Sequence, residues 1–194
     1  MNEAAIGERR DGTKFVPGQP DMWAFVLLEG LIFGSYFIAY MVCRIGDPQL
    51  YLASQQQLSQ GYGVVNTLIL LTSSWFMARG VQCARDQRYD VATTHVLMTI
   101  ACGVLFVASK LAEWTSKLGH GIGFTTNEFF TFYYFLTGIH VVHVLIGFVF
   151  LGVAVYQLRS AERRSQEIVE TCATYWHMVD FLWVIIFALL YVMR

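Results

Sequence analysis

The chain has 194 residues, of which 56% are hydrophobic and 14% charged, with a formal net charge of −1 and a mean hydropathy of +0.49. A soluble domain carries about 25% charged residues, so a chain this apolar reads as an integral membrane protein. That excludes a soluble enzyme, a nucleic-acid binder and a disordered linker, and the near-zero charge gives no reason to expect a polyanionic partner.

Residues 1–20 contain no apolar run and two prolines, Pro17 and Pro20. They read as a polar arm with no cleavable leader. A helix crosses the hydrocarbon core with roughly 20 apolar residues, and five windows between residues 21 and 194 qualify. Span one is predicted over 22–43, span two over about 62–84 and span three over about 92–112. Span four covers 129–158 and span five 172–193. The connections are mostly polar and short, so the expected fold is all-α, with five transmembrane helices in one antiparallel bundle and no second domain. No internal repeat is visible, which disfavours an inverted-repeat transporter.

Basic residues orient the bundle. Arg9, Arg10, Lys14, Arg79, Arg85, Arg88, Arg159, Arg163 and Arg164 fall on the side of the amino terminus, against Arg44, Lys117 and Arg194 on the other. The positive-inside rule then predicts a cytoplasmic amino terminus and an external carboxyl terminus. Phe129, Phe130, Phe132, Tyr133, Tyr134 and Phe135 crowd the outer end of span four and read as an interfacial aromatic belt. Cys43, Cys83, Cys102 and Cys172 show no C-x-x-C spacing and read as small apolar residues.

Ionisable groups inside hydrocarbon are costly, so each is a functional candidate. Glu29 has no basic residue within four positions, so its partner must come from another helix. It is the proton-linked candidate. Gly30 and Gly34 beside it form a G-x-x-x-G step that suits close helix approach. Lys110 and Glu113 are three apart and can pair near the outer interface, with the option of reaching towards water. His140 and His143 share a face, as do His177 and Asp180. With Asn66 they read as interhelical polar contacts rather than a metal site, because no E-x-x-H pair is present. Asn66 and Ser73, with Thr67 and Ser74, form a polar stripe on span two. No catalytic residue is assigned. Residues alone leave two possibilities: a non-catalytic subunit of a larger membrane complex, or a small stand-alone proton-linked carrier or channel.

Certain segments carry a resemblance. Span one reads W-x-F-x-x-x-E-G-x-x-F-G, and span two opens V-N-T-L-I-L-L-T-S-S over 65–74. Span three ends K-L-A-E-W over 110–114. Span four contains T-G-I-H-V-V-H-V, and span five Y-W-H-M-V-D over 175–180. In combination these resemble subunit III of the haem-copper oxidases, the cytochrome c oxidase subunit III family, over about residues 21–194. The P-G-Q-P-D-M-W and Q-Q-Q-L segments resemble a short branch of it, the accessory subunit encoded with bacterial nitric oxide reductase. The resemblance implies a non-catalytic accessory subunit of the bacterial inner membrane that binds no cofactor itself. It implies a catalytic haem-containing partner holding haem and copper or non-haem iron, and contact with phospholipids. It also implies that Glu29 matches the family's buried helix acid near the proton-uptake side. Many members have seven spans, and five matches the bacterial quinol oxidase form.

Overall fold

A computed structural model describes residues 18–162 and 164–193. The polar arm expected over residues 1–20 therefore lies outside the described residues up to position 17. Six α-helices are present among the described residues: α1 (Pro20–Gly46), α2 (Pro48–Gln56), α3 (Gln60–Arg85), α4 (Tyr89–Gly119), α5 (Glu128–Arg159) and α6 (Gln166–Phe187), which runs on into a π-helical turn over Ala188–Val192. Five helices are long and apolar enough to cross a membrane, and α6 counts as one span with its π turn. They correspond one to one with the five expected spans. Each begins or ends a few residues beyond the apolar window, because the polar flanks continue the helix. At 1.5 Å per residue, the 32 residues of α5 make a rod about 48 Å long.

Turn chemistry sets the antiparallel order. Arg88 donates from its backbone to the Cys83 carbonyl at 2.8 Å, and Gln87 takes the left-handed conformation, φ 60°. That closes α3 and reverses the chain within three residues. Asn127 caps α5 by accepting from the Phe130 N–H at 3.0 Å, and Ser165 caps α6 through Ile168. The short helix α2 was not legible as an element. Asp47 caps it by accepting from Leu50 N, and Pro48 stands at its first turn.

α3, α4, α5 and α6 form the core, and α6 is its centre. In the most apolar window of α6 with its π turn, 61% of residues are buried, against 11% in α1. Glycines permit the tight packing. A Cβ on Gly103 would lie 2.6 Å from Phe148 and 2.9 Å from Trp176, and one on Gly147 2.8 Å from Trp176. The span-two polar stripe lies inside this core. Ser73 and Thr99 exchange hydroxyl-to-carbonyl hydrogen bonds, Trp176 donates to the Ser73 hydroxyl at 3.0 Å, and Trp183 donates to Thr67 at 3.1 Å.

The aromatic run on α5 departs from expectation. Phe129, Phe130 and Tyr133 are fully buried and form no belt. α2 covers them, with Tyr51 set edge-on against Phe129 at 5.7 Å. Asn127 ties that cover down by donating to Ser54 at 2.9 Å. Burial among these rings, with Glu128 nearby, pushes the Tyr51 phenol above its ordinary range.

Candidate functional site

α1 lies in the groove between α5 and α6, and Glu29 on α1 meets His143 on α5. The carboxylate Oε2 is 3.3 Å from His143 Nε2, and both side chains are 14% exposed. The other ring nitrogen, Nδ1, lies 2.9 Å from the Ile139 carbonyl. A carbonyl only accepts, so Nδ1 carries a proton and donates it. In neutral His143, Nε2 is then a bare acceptor, and a hydrogen bond to Glu29 requires one proton between them. The carboxyl and the imidazole thus face each other across the α1–α5 contact. Phe33 packs edge-on against the imidazole at 5.3 Å, and Tyr175 donates to the His143 carbonyl at 3.2 Å. These contacts fix the ring.

Beside this pair the G-x-x-x-G step does not receive a helix. A Cβ on Gly30 or Gly34 would meet nothing within 4 Å. Both glycines line an open apolar cleft of about 1010 Å³ between α1, α3 and α6. At one end of the cleft, Arg85 of α3 and Glu170 of α6 pair at 2.9 Å.

Lys110 and Glu113 pair at 2.7 Å, but neither reaches towards water: their side chains are 0% and 2% exposed. The expected pair forms, and its side chains turn inwards for a definite reason. The π turn widens the end of the last span and brings Tyr191 into the pair. Lys110 Nζ donates to the Tyr191 hydroxyl at 2.8 Å, and that hydroxyl donates to Glu113 at 2.9–3.0 Å. Tyr133 lies 3.4 Å from the same ammonium. The ions are desolvated yet hydrogen-bonded, the condition under which a buried pair is tolerated.

Of the remaining candidates, His177 Nδ1 lies 2.7 Å from the Ser74 hydroxyl on α3, an interhelical contact. His140 and Asn66 differ from expectation: none of their side-chain nitrogen or oxygen atoms has a hydrogen-bond partner among the described residues. Asp180 on α6 has Ser74 of α3 as its polar neighbour, and a hydroxyl that accepts from His177 keeps its own O–H to donate. His140 packs instead against the rings of Phe106 and Trp183, at 5.5 and 5.2 Å. No group of three or more His, Cys, Asp or Glu placed to hold a metal ion occurs among the described residues.

Sequence reasoning missed Tyr191, Tyr133 and the Arg85–Glu170 pair. Glu170 also accepts from the backbone of Gly18 at 3.3 Å, which anchors the start of α1. Gly18 has φ +78°, and a Cβ there would crowd the Thr171 backbone at 3.2 Å. The glycine of the P-G-Q-P segment was a signal for this turn, but its partner 152 residues away was not.

Comparison with known proteins gives this geometry a family. The cytochrome c oxidase subunit III family matches residues 18–194. The chain is 30% identical over 184 residues to cytochrome c oxidase subunit 3 of Synechocystis, covering 91% of this chain and 78% of that one. It is 31% identical over 172 residues to the same subunit of Thermostichus vulcanus, covering 87% and 84%. It is 27% identical over 180 residues to a haem-copper oxidase subunit I+III of Aeropyrum pernix, covering 88% of this chain and 22% of that protein. The chain therefore belongs to the cytochrome c oxidase subunit III family.

Proposed function

We propose that this chain is a non-catalytic subunit III that packs beside the haem-containing catalytic subunit of a bacterial respiratory complex in the plasma membrane, where it supports that subunit's assembly, stability and proton uptake. The observation that carries this reading is the family match along the whole described chain. The Aeropyrum relative, named as subunit I+III, supports a partner of the subunit I class. Haem and copper, or non-haem iron, then belong to the partner, and phospholipids surround the outer faces.

The basic bias of the sequence supports a cytoplasmic amino terminus. In that frame Glu29 lies nine residues into α1 from Pro20, about 13 Å from the cytoplasmic end. The Glu29–His143 pair then lies in the inner half of the membrane. A carboxyl facing an imidazole gives a proton two acceptor atoms 3.3 Å apart. That is the property a proton-uptake accessory needs.

The P-G-Q-P-D-M-W and Q-Q-Q-L segments favour a second reading, in which the partner is a nitric oxide reductase rather than an oxygen-reducing enzyme. One experiment tests both. The tagged chain is purified in mild detergent, and the co-purifying protein is read by optical spectrum, metal content and mass. A stoichiometric haem protein is expected, with copper for an oxidase and non-haem iron for a reductase. A chain that purifies alone and carries protons across liposomes would instead be a stand-alone carrier.

A further inference from the structure

We propose that the centre of the four-helix core holds bound water at His140 and Asn66, beside the Phe106–Trp183 ring pair. Both residues are fully buried, 0% exposed. Both ring nitrogens of His140, and both the amide nitrogen and oxygen of Asn66, have no hydrogen-bond partner among the described residues. Such groups in a bundle interior are paired with protein or with ordered water, and hydrocarbon offers neither.

Helix register directs the two side chains to one region of the core. His140 packs on Phe106 at 5.5 Å and on Trp183 at 5.2 Å. The reciprocal Ser73–Thr99 bonds fix the antiparallel register of α3 and α4. Two turns further along, that register sets Asn66 opposite Phe106. Its neighbour Thr67 accepts from Trp183 at 3.1 Å. Asn66 and His140 therefore approach the Phe106–Trp183 pair from different helices.

The chemistry of the exposed atoms selects the ligand. A neutral imidazole offers one N–H and one acceptor, and an amide offers two N–H and one acceptor. A cation would face three donors, and the Lys110 ammonium stands 5.1 Å from the Trp183 ring centre. An anion would face two acceptors. Water both donates and accepts, and it is the small ligand that satisfies the whole set.

X-ray radiolysis of the purified full-length chain, with any partner it retains, tests this. Hydroxyl radicals arise in place from bound water and oxidise adjacent side chains even where bulk solvent has no access. The probe is water labelled with heavy oxygen, added before irradiation. Trp183 should be oxidised and Trp176 spared, although both are fully buried, because Trp176 packs against Phe148 and donates to Ser73. Equal labelling of the two tryptophans, or none at Trp183, would overturn the proposal. In His140→Phe combined with Asn66→Leu, labelling of Trp183 should fall to the level of Trp176. Persistence of the Trp183 label in that folded variant would also overturn it. Should the double variant not fold, the wild-type contrast between the two tryptophans decides alone.

Discussion

α1 and the four-helix core are both built of apolar helices, yet they differ in how closely they pack. The core is held by shape: Gly103 and Gly147 admit Trp176 and Phe148 into spaces that a methyl group would fill. α1 is mostly exposed and is pinned at three levels, by Gly18 and Gln19 on Glu170 and Thr171, by Glu29 on His143, and by Tyr40 and Arg44 on the carbonyls of Leu189 and Met193. Lipid is as apolar as leucine, so a helix gains little by leaving it unless packing or hydrogen bonds reward the move. The core adds close packing around glycine to its hydrogen bonds; α1 has hydrogen bonds and ring contacts at its edge, and its own glycines stay at an open cleft.

The largest break in this contrast is expected at the buried ion pair. Lys110→Ala or Glu113→Ala leaves an uncompensated charge inside the core and should cost about 3–5 kcal/mol. The thermal inactivation midpoint of the detergent-purified protein would show it. Lys110→Met combined with Glu113→Leu should recover most of that loss, and a double variant as unstable as the singles would contradict the pairing seen here.

Next come the core glycines. Gly103→Ala or Gly147→Ala forces rings to shift and should cost about 1–3 kcal/mol by the same melting assay. If either were neutral, the core would not be held by shape.

Polar attachment of α1 should respond more weakly. Glu29→Ala should cost about 0.6–2 kcal/mol and raise protease cleavage near Gly18. Glu29→Gln keeps a group able to donate to His143 Nε2, so it should assemble normally while losing the exchangeable proton. Turnover of the partner complex in that variant should diverge from wild type as pH rises and protons become scarce. Superimposable pH profiles would reduce Glu29 to an anchor. Smallest, and opposite in sign, is the effect of Gly30→Ala or Gly34→Ala. With nothing within 4 Å, a methyl group should stabilise the helix by roughly 0.5–1 kcal/mol.

The five spans were legible because the solvent imposes them: about 20 apolar residues in a row leave few alternatives. The Lys110–Glu113 contact was legible from spacing, since three residues bring side chains together on any helix. Its depth was not, because burial depends on Tyr191, 81 residues from Lys110, and on a π turn that no local pattern announces. Glu29 showed that it needed a distant partner; only the packing of α1 against α5 singled out His143 rather than His140. Those two histidines lie three residues apart on one helix, and one finds a carboxylate while the other finds aromatic rings.

The π turn has a further consequence, for the order in which the protein is made. As the last carbonyls of the helix, those of Leu189, Leu190 and Tyr191 accept from Tyr40, Gln55 and Gln60, while Arg44 takes that of Met193. Tyr40 and Arg44 leave the ribosome 149 residues before their acceptors. The Tyr40 phenol and the Arg44 guanidinium therefore meet these two carbonyls only once the last span is in place, while α1 already has His143 and Phe132 of α5 beside it.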